Sequence, residues 1–91
     1  FEGYLPRHKY SIEKLERDTY LMDGRVSITE ASAVLGVALP SVDAHTVGGM
    51  VIAYLRHIPE EGERVIQAGY SFTVEQATGW GVGKLRVERT G

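Results

Sequence analysis

The chain has 91 residues, 43% of them hydrophobic and 24% charged, with no cysteine and a formal net charge of −2. That length holds one domain and too little core for two. The charge balance leaves no basic stripe for nucleic acid and no polybasic membrane contact, and the lack of cysteine excludes disulfides, thiolate metal sites and thiol nucleophiles.

Residues 1–9 show no clean period and contain Gly3 and Pro6, so they read as a lead-in segment or linker. Residues 10–91 read as the domain. Tyr10 to Leu15 alternates weakly as a strand, and Asp18 falls where a turn belongs. Thr19 to Met22 is a second short strand, rich in β-forming residues. Asp23-Gly24 is a turn dipeptide. Ser27-Ile28-Thr29-Glu30 then forms a capping box, with Ile28, Ala31 and Leu35 at helical spacing behind it. Gly36 stops that helix, because glycine takes the left-handed cap conformation without penalty.

Thr46 caps a second helix. Val47, Met50, Val51, Tyr54, Leu55 and Ile58 make one apolar stripe along it, and Pro59 is expected to end it. Arg56 and His57 then fall in its last turn, where positive charge complements the helix dipole. From Glu63 the period becomes two. Arg64 to Ala68, Tyr70 to Glu75 and Lys84 to Arg89 read as antiparallel strands with one wet face. The expected architecture is therefore α+β: a small antiparallel sheet packed against two helices. Tyr54, Leu55, Val51, Phe72, Val74 and Val87 are expected to be buried together. The longest apolar run, Val47 to Leu55, is far short of the ~20 residues of a spanning helix. No signal peptide is visible, and Phe1 rather than Met opens the chain, so a fragment or processed chain is expected.

No residue constellation supports catalysis. The run Gly79-Trp80-Gly81-Val82-Gly83-Lys84 fails both dinucleotide and phosphate-loop spacing and precedes a strand, so it reads as a hairpin loop. His8, His45 and His57 are not paired at metal-ligand spacing. Asp43 and His45 read as a polar loop before the second helix. Glu60, Glu61 and Glu63 lack the calcium-loop pattern and read as a solvated turn. Ser41, Asp43 and His45 lie too close in sequence for a triad. The start of the second helix is the one place that invites a ligand. Its free amides attract anions, and Gly48 and Gly49 allow close approach; packing against the sheet competes with that reading. Trp80, between glycines, is a candidate contact residue.

An ordered set of landmarks resembles the CorC/HlyC transporter-associated domain family. They are Tyr20-Leu21-Met22-Asp23-Gly24-Arg25-Val26, Leu35-Gly36, Thr46-Val47-Gly48-Gly49, Ile58-Pro59-Glu60-Glu61-Gly62-Glu63-Arg64-Val65, Gly69-Tyr70-Ser71-Phe72-Thr73-Val74 and Leu85-Arg86-Val87. The set runs from about Tyr10 to Arg89. His45 departs from the acidic residue often found before the Thr-x-Gly-Gly run, and the Gly79 to Gly83 loop is richer in glycine than usual. The resemblance implies a cytoplasmic domain of a bacterial membrane protein, hemolysin-like or concerned with magnesium and cobalt efflux, lying beside paired CBS and transmembrane domains. It also implies a fold similar to a subdomain of FAD-binding oxidoreductases, and no established catalytic residues.

Two functions from different classes follow. The first is a non-catalytic regulatory module that alters ion transport through domain contacts or a homodimer, with Trp80, Arg86 and Arg89 as its contact surface. The second is a binding domain for an adenine nucleotide or FAD at Thr46, Gly48 and Gly49. No resident metal or cofactor is expected under the first. A toxin reading rests on family names alone, because no membrane-active amphipathic segment is present.

Overall fold

The computed structural model describes residues 10–41, 44–79 and 81–90. The elements in chain order are β1 (Ile12–Glu16), β2 (Thr19–Asp23), α1 (Ile28–Leu35), α2 (Val47–Leu55), β3 (Arg64–Gln67), β4 (Tyr70–Ala77) and β5 (Val82–Arg89). The strands form one antiparallel sheet in the order β1-β2-β5-β4-β3. The expected α+β architecture is thus present, with β5 at the centre. The last strand inserts between β2 and β4, joining the N-terminal hairpin to the C-terminal meander.

Alternation decides the two faces of the sheet. Met22 on β2 faces Leu85 on β5, which faces Val74 on β4. In the next row of that face Tyr20 meets Val87, Val87 meets Phe72, and Phe72 meets Val65. All of these but Tyr20 are buried, and Tyr20 packs against them. The helices supply Ile28, Ala31, Leu35, Val47, Met50 and Val51 to the same core. Val26, in the turn before α1, is fully buried as well.

Both helix starts follow from their capping residues. The Ser27 hydroxyl accepts from the Glu30 amide at 3.0 Å, and the Thr46 hydroxyl accepts from the Gly49 amide at 3.0 Å. The two caps also pair as an isolated antiparallel bridge. The Ile28 amide donates to the His45 carbonyl, and the Val47 amide donates to the Val26 carbonyl, each at 2.9 Å. The two N-termini are therefore locked side by side. At the other end of α1, Gly36 takes the left-handed conformation (φ 73°) as expected. The buried Tyr70 hydroxyl donates to the Leu35 carbonyl there, tying α1 to β4.

The second helix departs from its expected length. It closes at Leu55, and Arg56 takes the left-handed position (φ 66°) with its amide on the Ile52 carbonyl. The proline ring at position 59 disfavours α conformation at Ile58, so the helix ends before that residue. Arg56 and His57 therefore lie beyond the last turn. The apolar stripe ends early too: Val47, Met50 and Val51 are buried and Leu55 is half-buried, but Tyr54 is 47% exposed and Ile58 61% exposed. Tyr54 does not belong to the core expected for it.

All five strands are longer or shorter than their patterns: β1 is Ile12–Glu16 rather than Tyr10 to Leu15, and β2 runs on to Asp23. Ala68 leaves β3 for the turn, where Ala68 and Gly69 both take positive φ (55° and 83°) between paired Gln67 and Tyr70. That is the twist-matched form of a tight hairpin. β4 runs on to Ala77 through an irregularity near Gln76, and β5 begins at Val82, so Gly83 is a strand residue. The Thr78 amide donates to the Gly81 carbonyl at 2.8 Å, closing the hairpin between β4 and β5.

Candidate interaction surface and the cleft at the second helix

The start of α2 opens onto a cleft of about 530 Å³, bordered by Asp23 to Arg25, by Thr46, Gly48 and Gly49, and by the β4–β5 connection with Lys84. The sequence brings these together through close backbone contacts. A Cβ on Gly48 would stand 2.7 Å from the Gly24 carbonyl oxygen, and one on Gly24 would stand 2.1 Å from the Val82 carbonyl oxygen. Glycine at both positions lets helix, turn and strand meet backbone to backbone.

The amides that a bound anion would need are already engaged. Val47 donates to Val26, Gly48 donates to the Gly24 carbonyl at 2.9 Å, and Gly49 donates to the Thr46 hydroxyl. Thr46, Gly48 and Gly49 do line one cleft, but the two glycine amides are held by the protein's own carbonyl and hydroxyl groups. Two of the cleft's three charged side chains are likewise committed to each other. Arg25 grips Asp23 through Nε and Nη2, both at 3.0 Å, and lies 4.4 Å from the Tyr10 ring centre. This grip holds the Asp23 carboxyl below its ordinary pKa, against the opposing effect of partial burial. The arrangement is a packing joint between the two sheet halves and α2.

The connection from α2 to β3 resolves the acidic cluster. Glu63 accepts from the Glu60 amide at 2.8 Å and meets His57 Nε2 at 2.7 Å. The Glu60 amide first and His57 second lower the Glu63 pKa, while the Glu63 carboxylate raises that of His57. Glu61 accepts from the Ala77 amide at 3.3 Å. These carboxylates brace the loop and do not converge. Among the described residues no three His, Cys, Asp or Glu side chains come together as a metal site. His8 and Asp43 lie outside the described residues, so neither the Asp43 and His45 pair nor the Ser41, Asp43 and His45 group is described.

The face of the sheet opposite the helices carries the polar rows. One runs Thr19, Glu88, Ser71, Ile66 across β2, β5, β4 and β3. It floors a shallow open cleft of about 500 Å³ that Arg17, Asp18, Arg64 and Arg89 also border. Arg86 stands on this face and its Nε lies 3.5 Å from a Glu88 oxygen. Arg89 shares the alternation of Leu85 and Val87, yet it ends β5 and is exposed, with Nη1 3.9 Å from Asp18. Trp80 lies outside the described residues, Arg89 borders the cleft, and Arg86 stands on the same face outside the cleft lining. Arg17 and Arg64 were not singled out from the sequence. Only the cross-strand register places them around one row, and a single sequence does not carry that register.

Comparisons with known proteins agree with this architecture. The family model CorC_HlyC, described as a transporter associated domain, matches residues 13–91. Hemolysin C of Brachyspira hyodysenteriae is 35% identical over 79 residues, which are 86% of this chain and 30% of that protein. The magnesium and cobalt efflux protein CorC of Vibrio cholerae is 32% identical over 76 residues, 84% of this chain and 26% of that protein. The chain thus spans less than a third of these relatives. Among solved structures, a transporter associated domain from Nitrosomonas europaea superposes with a TM-score of 0.81 at 34% identity, covering 90% of this chain and 99% of that one. A domain of a Xylella fastidiosa hemolysin, solved in complex with Mg++ and Mn++, superposes with a TM-score of 0.78 at 31% identity, covering 88% and 98%.

Proposed function

The chain belongs to the CorC/HlyC transporter associated domain family, and from that premise we propose that it is a non-catalytic regulatory module of a longer membrane ion-transport protein. The observation that carries this reading is the pairing of family and coverage. The match fills nearly the whole chain but under a third of relatives named for hemolysis or for magnesium and cobalt efflux. No helix among the described residues is long and apolar enough to cross a membrane, so a transport path through helices belongs to other parts of such a protein.

A module of this kind acts by contact. It alters transport only by binding one state of its neighbours more strongly than another. The neighbours are paired CBS and transmembrane domains on the cytoplasmic side, or a second copy of the chain. Trp80, Arg86 and Arg89 are the contact residues of this reading, and divalent cations are the cargo. Nucleotide or flavin binding at Thr46 is the weaker alternative, because the amides of Val47, Gly48 and Gly49 already have partners.

The test is magnesium flux in vesicles carrying the longer protein with and without residues 1–91, at matched levels. Removal is expected to leave insertion intact and change the flux. Trp80→Ala, Arg86→Gln and Arg89→Gln are expected to reproduce part of the change. Equal flux with and without the domain contradicts the reading.

A further inference from the structure

We propose that the open face of the sheet is a docking groove for an extended acidic segment of a partner polypeptide, held by Arg17 and Arg64 at its two ends. The proposal rests on the regulatory reading above and names the chemistry of what the module contacts.

The observations come from charge and register. The chain as a whole is net negative, yet three arginines and only two carboxylates border the cleft on this face. The carboxylates are occupied: Asp18 by Arg89, and Glu88 by Arg86. Arg17 and Arg64 have no carboxylate within salt-bridge distance among the described residues and are exposed. They stand beside the two ends of the stretch Thr19, Glu88, Ser71, Ile66, which crosses four adjacent strands; on the fifth strand Glu16 pairs with Thr19 but does not border the cleft.

Dimensions set the ligand. Four strands make three inter-strand steps, so the row is roughly 14 Å across. An extended chain advances about 3.3 Å per residue and returns its side chains to one face every second residue. Carboxylates four residues apart on such a segment therefore span about 13 Å and reach both arginines. The floor between them suits a backbone. Thr19 and Ser71 are small, with 8% and 5% of their surface exposed, and Ile66, 55% exposed, offers one apolar contact. Guanidinium groups bind carboxylates in a planar, two-pronged fashion, which fixes the segment's register.

The experiment uses the 91-residue chain with hexaglutamate as the probe, hexalysine and inorganic phosphate as controls, and amide chemical shifts of Ile66, Ser71 and Glu88 as the readout. Hexaglutamate is expected to produce saturable shifts at low ionic strength that weaken severalfold between about 0.02 and 0.2 M salt, as exposed charge contacts do. Arg17→Gln and Arg64→Gln are each expected to weaken binding about three- to fivefold, the scale of one exposed charge contact. Neither should alter the melting temperature, since both side chains are exposed. Lys14→Gln, whose side chain alternates to the other face, should bind as the parent does. Absence of binding, affinity independent of salt, or unchanged affinity in both arginine variants overturns the groove. Phosphate that competes on equal terms with hexaglutamate overturns the peptide and leaves only a simple anion contact. If removing the domain changes flux while Arg17→Gln with Arg64→Gln does not, and hexaglutamate fails to bind, this inference falls and the regulatory reading stands.

Discussion

Replacing Gly48 with alanine separates a packing joint from a ligand site, because the structure gives the substitution opposing effects of known size. In an open helix the change would stabilise by about 1 kcal/mol through helix propensity. Here the new Cβ meets the Gly24 carbonyl oxygen at 2.7 Å and the Gly24 Cα and carbonyl carbon at 3.3 Å. The Gly24 backbone has little room to yield. Its amide donates to the Gly83 carbonyl at 2.9 Å, and its own Cα faces the Val82 carbonyl. Overpacking of this kind costs about 1–3 kcal/mol. Pushing the helix away also stretches the Gly48 to Gly24 hydrogen bond, worth about 0.5–1.5 kcal/mol net. The balance is a loss of about 2 kcal/mol. For a domain of this size that lowers the melting temperature by on the order of 10 °C. Gly49→Ala is the internal control. Its Cβ meets a side-chain atom, Thr46 Oγ1, at 3.1 Å, and ordinary contacts beyond it. Propensity and cap disturbance then nearly cancel, leaving a change within about 1 kcal/mol. Urea unfolding of both variants, without any ligand, is the assay. A Gly48→Ala protein as stable as the parent would refute the packing account and return this glycine to a ligand-facing role.

Three further outcomes follow from the same geometry. Phe72→Ala, at a fully buried central position, should lower stability by about 3–5 kcal/mol in urea unfolding, whereas Leu55→Ala, at a half-buried helix end, should cost distinctly less; equal losses would mean the stripe is seated as the sequence alone indicates. The His57 and Glu63 pair should make stability depend on pH. The raised His57 pKa contributes fully below about 6.5 and is lost as pH rises through the folded value, while the lowered Glu63 pKa contributes above about 4.5 and is lost as pH falls through its folded value. The stability difference between parent and His57→Gln should therefore peak between those limits and fade toward pH 8, and a flat difference from pH 5 to 8 would contradict the pair. Ala68→Gly should raise the urea midpoint, gaining about 0.5–1 kcal/mol by relieving a left-handed alanine (φ 55°) net of glycine's greater unfolded freedom; a lower midpoint would show that the alanine side chain contributes packing there.

The sequence carried what is periodic and local. Ser27 and Thr46 cap helices with the expected geometry, Gly36 takes the left-handed stop, and Phe72, Val74, Leu85 and Val87 turn to the core by alternation. What it did not carry depends on distant partners. The stripe through Tyr54 and Ile58 obeys helical spacing, but Tyr54 stands exposed within α2 and the helix closes at Leu55, before Ile58. Val26 looks like a turn residue and is fully buried, because the pairing of the two helix caps draws it under both. The same holds for function. Gly48 fits both an anion site and a close contact, and only the position of Gly24 decides between them. Arg17 and Arg64 lie 47 positions apart and become neighbours of one row only through the β2-β5-β4-β3 order.

A regulatory contact must obey linkage: if the domain changes the transporter's affinity for its cation, the cation changes the transporter's affinity for the domain by the same factor. The most direct measurement is therefore the Kd of the separate 91-residue chain for the longer protein lacking it, in vesicles, with and without saturating magnesium. The account predicts two different values, about 5-fold or more apart, as coupling of about 1 kcal/mol requires. The same Kd in both conditions, with the domain bound, would contradict it.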